Sequence, residues 1–280
     1  MEEKVVQYVG VGGNITPGEL SRYENSEFAA EAKKDGCWVE VRTDADGFIE
    51  ELVGRSGLRF SGDAVSGLIG LKTPWSNTIL AGELETATES ATKIHSKLGY
   101  RRIWLFDVTQ LLGQSVLALD YDTRRELLEA AVGQELSLEA RKRLLLVEQV
   151  IEGFAAFFTK VTAEDGEGLV LKRRKSLYKQ TSSGRSEHWV RCKTLRSVDY
   201  YVTRLERTEK GNISLKLALY RNGEFVEVGK IIAPARVRDP KTLVGQVVEC
   251  IGAELHDSGM LRHARFNRVR KDKKAEECNV

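Results

Sequence analysis

The sequence predicts an α+β protein in two parts, with sheets and helices over residues 1–195 and a small five-stranded barrel over 196–280. Three observations lead there. Short alternating or apolar runs bounded by glycine turns recur through the first part, as strands should. Two longer segments, 123–132 and 138–159, carry helical spacing. From about Ser197 the helical signal stops, and five strand-like runs follow within about seventy residues.

The composition is that of a folded protein, 41% hydrophobic and 30% charged in 280 residues, which excludes a disordered chain and allows a substantial core. Net charge is only +2, so any nucleic-acid surface must come from local clustering. Arg262, Arg265, Arg268, Arg270, Lys271, Lys273 and Lys274 form such a cluster. The four cysteines lie far apart, none at zinc-finger or redox spacing, so reduced thiols and a cytoplasmic location are expected (the host-cell cytoplasm if the chain is viral). No signal peptide opens the sequence and no apolar run could span a bilayer, so no membrane partner is expected.

Residues 5–9 read as a short strand and 10–13 as a loop. Thr16 and Pro17 predict a short helix over 17–23, with the threonine hydroxyl as cap and proline in the first turn. Two alternating runs, 28–33 and 38–42, flank Asp35-Gly36, predicting a tight hairpin in which Gly36 supplies backbone freedom and Lys33 ends a strand. A lysine becomes nucleophilic when it loses its proton, which burial or neighbouring cations promote. A plain hairpin with solvated lysines is the competing reading of Lys33-Lys34-Asp35-Gly36.

A second hairpin is predicted where Asp44-Ala45-Asp46-Gly47 joins 39–42 to 48–53. Gly54-Arg55-Ser56-Gly57 sets two glycines beside Arg55, which suits either an anion or an ordinary turn. Residues 64–71 are expected to be helical. The apolar strand 78–84 ends on Glu83, a poor place for a merely solvated carboxylate. After a helix over 91–98 comes 102–108, an apolar strand of the kind buried on both faces; its Phe106 suits core packing or stacking on a flat ligand. In the helical segment 138–159, Leu144, Val147, Ile151 and Phe154 form a core stripe.

Glu167 stands at the start of another strand, which runs into a basic loop with Arg173, Arg174, Lys175, Tyr178, Lys179 and Arg185. Such a loop suits phosphate contact or simple solvation. Residues 188–193 alternate, placing Arg191 and Lys193 on one face, where two cations repel unless an anion lies between them. The five runs 199–207, 212–220, 225–232, 246–255 and 261–269 fit a barrel of the oligonucleotide-binding type, joined through 195–197.

In this order the segments resemble the covalent nucleotidyltransferases, most closely the ATP-dependent DNA ligases in a minimal two-domain form. Lys33-Lys34-Asp35-Gly36 is similar to the nucleotidyl-lysine motif and Gly54-Arg55-Ser56-Gly57 to the arginine motif after it. Ala81-Gly82-Glu83-Leu84 resembles the third motif, and Leu105-Phe106-Asp107 the aromatic one that follows. Glu167-Gly168-Leu169-Val170-Leu171-Lys172 resembles the fourth. Trp189-Val190-Arg191-Cys192-Lys193 resembles the fifth, with arginine for the first of its usual two lysines. Leu261–Phe266 leading to Arg270-Lys271-Asp272-Lys273 resembles the ligase form of the sixth. One departure is Trp38, where such ligases usually carry arginine.

The resemblance implies a nucleotidyltransferase (adenylation) domain over 1–195 with antiparallel sheets and helices, then an OB-fold domain over 196–280. It implies a monomer acting on nicked duplex DNA in repair, replication or recombination, with ATP and Mg²⁺ or Mn²⁺. Lys33 would attack the α-phosphate of ATP, releasing pyrophosphate and forming a lysyl-AMP phosphoramidate. AMP would pass to the 5′-phosphate at the nick, and the 3′-hydroxyl would displace it. Glu83 and Glu167 are the candidates for Mg²⁺ or ribose contacts. Glu31, Arg55, Phe106, Arg191 and Lys193 are candidates for adenosine and phosphate, and Arg270 and Lys273 for closing over the triphosphate. Stretches 172–185 and 262–274 would contact DNA phosphates. An RNA ligase or mRNA capping guanylyltransferase, and a non-enzymatic OB-fold nucleic-acid binding protein, are the alternatives left open.

Overall fold

The computed structural model describes residues 8–9, 14–62, 65–86, 100–164, 166–179, 185–186, 188–209, 211–253 and 255–279. Two compact units divide the chain, Met1–Lys193 and Thr194–Val280. Sheets dominate both, with few helices. Among the described residues no helix is long and apolar enough to cross a membrane.

The first unit holds two main sheets. One runs in the order Ile49–Gly54, Cys37–Thr43, Ile79–Thr86, Tyr100–Leu111, Gln114–Ser115, with Leu144–Leu146 pairing in parallel to Tyr100–Leu111. Strand alternation turns Val39, Val41, Leu52, Leu80, Leu84, Ile103 and Leu105 into one core, where Trp75 and Leu128 join them. The other sheet runs Gln149–Val150, Phe28–Ala32, Gly168–Arg173, Trp189–Lys193, Asn14–Ile15. Its Phe28, Ala30, Leu169, Leu171 and Val190 pack on Phe154, Phe157 and Val161 of the helix Phe154–Ala163. The strand Tyr100–Leu111 serves both cores: Ile103 and Leu105 face the first, while Trp104 and Phe106 pack against the second. That is the two-faced burial its apolar run predicts.

The predicted hairpin at Asp35-Gly36 does not form. Phe28–Ala32 and Cys37–Thr43 belong to different sheets, so residues 33–36 carry the chain across from one to the other. Gly36 is required for close approach, because a Cβ there would overlap the Leu84 carbonyl oxygen. The second hairpin forms as predicted, with Gly47 at φ 83° and the Asp44 side chain accepting from the N–H groups of Asp46 and Phe48.

Residues 138–159 are not one helix. Leu138–Arg143 and Phe154–Ala163 are helices, and between them lie the strands Leu144–Leu146 and Gln149–Val150. Leu144, Val147 and Phe154 are buried as the stripe predicts, but Ile151 is exposed. Sheet edges on both sides recruit the intervening residues, and Gly153 at φ 71° starts the second helix afresh. Within the helix expected over 64–71, residues 66–70 form turns, while 17–22 form a 3-10 turn in which Glu19, not the Thr16 hydroxyl, accepts the capping bonds. The predicted helix over 91–98, the loop 10–13 and the first part of the strand over 5–9 lie outside the described residues.

The second unit has the five predicted strands in one antiparallel sheet, ordered Glu224–Ile232, Ile213–Arg221, Arg196–Arg207, Val247–Gly252, Arg265–Val269. Asn222 and Gly223 both take positive φ, 52° and 90°, as a two-residue hairpin turn demands. Val198, Tyr200, Val202, Leu215, Leu217, Val248 and Cys250 form its core. Among the described residues the strand pairings make an open path, without the closure that a barrel requires.

Candidate functional site

Lys33 lies on the crossing between the two sheets of the first unit. Its backbone N–H donates to the Gly168 carbonyl at 2.8 Å, fixing it beside the strand that Glu167 precedes. Gly168 is at φ 124°, and a Cβ there would overlap the Cys192 carbonyl; glycine lets the two chains meet. Lys33 Nζ forms an ion pair with Glu167 and also donates to the Lys34 carbonyl at 3.3 Å. Lys193 Nζ lies 3.3 Å from the same carboxylate oxygen. Burial opposes the charge on Glu167, but Lys33 and Lys193 outweigh it and hold the carboxyl below its ordinary pKa. Burial lowers the pKa of Lys193, and the charge of Lys33 lowers it further against the pull of Glu167. Lys34 points elsewhere, its Nζ 3.8 Å from the Trp104 ring centroid.

Glu83, on Ile79–Thr86, faces this cluster from the other sheet. Burial pushes its pKa up to about 7; Glu167 and Asp35 raise it too, while Lys33 and Arg55 lower it. Arg55 is exposed, just past the end of Ile49–Gly54, and its charge reaches Glu83. Arg191 is half-buried on the strand Trp189–Lys193, close enough for its charge to lower the pKa of Lys193. Glu167 is the anion that meets Lys193 on that strand, and it shares this role with respect to Lys33. Glu83 and Glu167 offer two hard oxygen donors of the kind that would fit a divalent cation such as Mg²⁺. Among the described residues no group of three or more His, Cys, Asp or Glu gathers into a self-sufficient metal cage.

Glu31 and Phe106 belong to a second constellation. Glu31 is buried, and its Oε1 accepts from Tyr121 Oη and from Arg125 Nη1 at 3.1 Å, while its Oε2 pairs with Lys172 Nζ at 2.7 Å. Lys172 Nζ also donates to the Phe106 carbonyl at 2.9 Å. Burial lowers the Lys172 pKa against the opposing charge of Glu31. Phe106 meets Trp189 edge to face at 6.0 Å and packs on Trp38 and Ala81. Trp38 is buried, so this departure from the ligase pattern is a packing residue against the Phe106 ring.

Arg270 and Lys273 converge within the second unit, where both donate to Asp199 Oδ2, at 2.9 and 2.8 Å, and Asp272 also binds the Arg270 guanidinium. Lys172 corrects one expectation. It is 1% exposed and takes no part in a phosphate-binding loop. Nearby, Arg173 pairs with Glu27, Arg174 with Asp122, and Lys175 with Asp120. Reading the sequence missed Lys172, Tyr121, Arg125 and Trp189 as members of the site. The available signal was a lysine standing on the apolar alternation Leu169-Val170-Leu171-Lys172 and two arginines on the inner face of a helix.

Residues 15–193 match the family described as ATP dependent DNA ligase domain. Curated relatives include a DNA ligase of Thermococcus onnurineus, 27% identical over 232 residues covering 74% of this chain and 40% of that one. A DNA ligase of Thermococcus fumicolans is 27% identical over 212 residues, 63% of this chain and 36% of its own. The chain thus spans a little over a third of the length of these relatives. Among solved structures, one from a study of Lig E DNA ligases superposes with a TM-score of 0.64 at 20% identity, covering 95% of this chain and 99% of that one. A mycobacterial DNA ligase D complexed with ATP and MES gives 0.56 at 21% identity, covering 98% and 97%. At such identity the likeness is one of fold, a nucleotidyltransferase-type ligase fold.

Proposed function

The chain belongs to the ATP-dependent DNA ligase family, and from that premise we propose that it uses ATP to seal nicks in duplex DNA through a lysyl-AMP intermediate on Lys33. The observation that carries this reading is the meeting of Lys33, Glu167 and Lys193 at the crossing between two sheets, with Glu83 facing them. Attack on the α-phosphate requires a neutral amine in line with the departing pyrophosphate. The Lys33 backbone N–H is held on the Gly168 carbonyl, which positions the residue beside Glu167 before substrate arrives. Lys193 and Arg191 supply positive charge where phosphate oxygens would lie, and Arg55 adds to it from the adjoining sheet. Glu167 and Glu83 are the residues that would hold a divalent cation, which when bound would supply charge neutralisation for the leaving pyrophosphate.

In this reading Phe106 and Glu31 receive the adenosine. The second unit is an OB-fold domain whose Arg270 and Lys273 orient the pyrophosphate during the first step. Arg265, Arg268, Lys271 and Lys274 are exposed and suit backbone phosphates of the nicked duplex. The protein acts as a cytoplasmic monomer.

The test uses radiolabelled ATP and, separately, GTP, followed by a nicked duplex. The expected result is a covalent adduct with ATP, lost in Lys33→Ala while its circular dichroism is unchanged, together with sealing of the nick by wild type. An adduct formed with GTP instead makes the protein a capping guanylyltransferase. Wild-type labelling of Lys33→Ala removes Lys33 as nucleophile.

A further inference from the structure

An ammonium seldom occupies a position as buried as that of Lys172. Its Nζ binds the Glu31 carboxylate at 2.7 Å and the Phe106 carbonyl at 2.9 Å. It also lies 4.3 Å from the Trp189 ring centroid, 4.7 Å from that of Phe106 and 4.9 Å from that of Tyr121, all within cation–π reach. These partners have different origins. Phe106 is on the six-stranded sheet, Glu31 and Trp189 on the five-stranded one, and Tyr121 opens the helix Tyr121–Val132. One charged atom therefore joins two sheets and a helix.

Stability does not account for this arrangement, because well-packed apolar residues commonly replace a buried ion pair at no loss. What an ammonium adds is direction: a hydrogen bond, an ion pair and three ring faces admit few alternative geometries. We propose that Lys172 is a positioning residue for the base-holding part of the nucleotide site. It locks the Phe106 ring and the Glu31 carboxylate in one mutual geometry and thereby sets how tightly and how selectively a purine is held. This inference rests on the reading that Phe106 and Glu31 receive adenosine. Lys172 touches no nucleotide in this scheme; it acts through the two residues that do. Arg125 and Tyr121 complete the hold on the other Glu31 oxygen.

The experiment measures the rate of lysine labelling against ATP and GTP concentration, in wild type and in Lys172→Met, which keeps the side-chain length and removes the charge. The expected result is a rise of about tenfold in half-saturating ATP and a narrowed preference for ATP over GTP, with the maximal rate changed less. In a Phe106→Leu background, Lys172→Met should add little, because both act on one feature. Should Lys172→Met fail to fold, Lys172→Gln, which keeps a hydrogen-bond donor toward Glu31 and removes the charge, gives the same readouts. A folded variant with wild-type half-saturation and wild-type base preference overturns the proposal. So does failure of both variants to fold, which makes Lys172 a residue of stability. Absence of any wild-type adduct defeats the ligase reading itself, a result separable from either.

Discussion

At the scale of single residues, the half-buried Glu83 has the most consequential ionisation. Its pKa is about 7, against an ordinary value of 4.5, because burial disfavours the carboxylate and neighbouring Glu167 and Asp35 add to it. The sign follows directly. A raised pKa means that the folded state prefers the protonated acid, so its contribution to stability is full below about 4.5 and lost as pH rises through about 7. Glu83→Gln imitates the protonated form. It should leave the melting temperature unchanged at acid pH and raise it above neutrality, by roughly 2–4 °C. Thermal melts of the nucleotide-free protein across that window check this; an equal shift at all pH values would show that Glu83 acts through shape. Glu83 was legible in the sequence as an acid on an apolar strand. Its weak acidity was not, since that depends on Glu167, which lies more than eighty residues away.

At the scale of elements, one helix is attached to its sheet by charge. Asp120 caps Tyr121–Val132 by accepting from the Thr123 N–H, and Arg124 then reaches Asp107 through two bonds of 2.8 and 3.1 Å, both side chains fully buried. Breaking such a pair leaves a charge without compensation. Arg124→Ala should therefore cost about 3–5 kcal/mol, read by urea unfolding, whereas Asp107→Leu/Arg124→Met should cost much less. Equal losses in the two would place the effect in packing volume rather than in charge. The structure starts this helix at Tyr121, behind the cap Asp120, and the sequence marks it through its spacing over 123–132. It misreads 138–159, because Leu144-Leu145-Leu146 carries no local mark that distinguishes a helical stripe from an edge strand. The strand arises because Tyr100–Leu111 offers a free edge to pair with.

At the scale of the whole molecule, the two units hold different parts of the proposed machinery, Lys33, Glu83 and Glu167 in Met1–Lys193 and the basic stretch 262–274 in Thr194–Val280. Within the second unit Asp199 gathers Arg270 and Lys273, so the two cations are presented as a pair rather than as a solvated tail. Substituting both by alanine should reduce labelling of Lys33 by ATP far more than joining of a pre-adenylated nick, in which no pyrophosphate leaves. Single-turnover assays on the two substrates check this. A loss confined to the pre-adenylated nick would make them DNA-binding residues instead.

Local patterns determined much of this protein. The five strands of the second unit, the Asp44–Gly47 hairpin and the helix read over 123–132 each follow from signals spanning a few residues, because turn conformation and side-chain alternation are set by near neighbours. The order of the ligase-like segments likewise exposed Lys33, Glu83 and Glu167 as candidates. Tertiary structure decided the rest. Asp35-Gly36 reads as a hairpin turn, yet Gly36 serves the passage of Lys33 between sheets, since the packed partner, Leu84, is distant in sequence. Lys172 reads as the first cation of an exposed loop, yet Glu31, Phe106, Tyr121 and Trp189 enclose it. A charge is buried only where the fold brings its compensating groups around it, and those groups come from four separate stretches of chain.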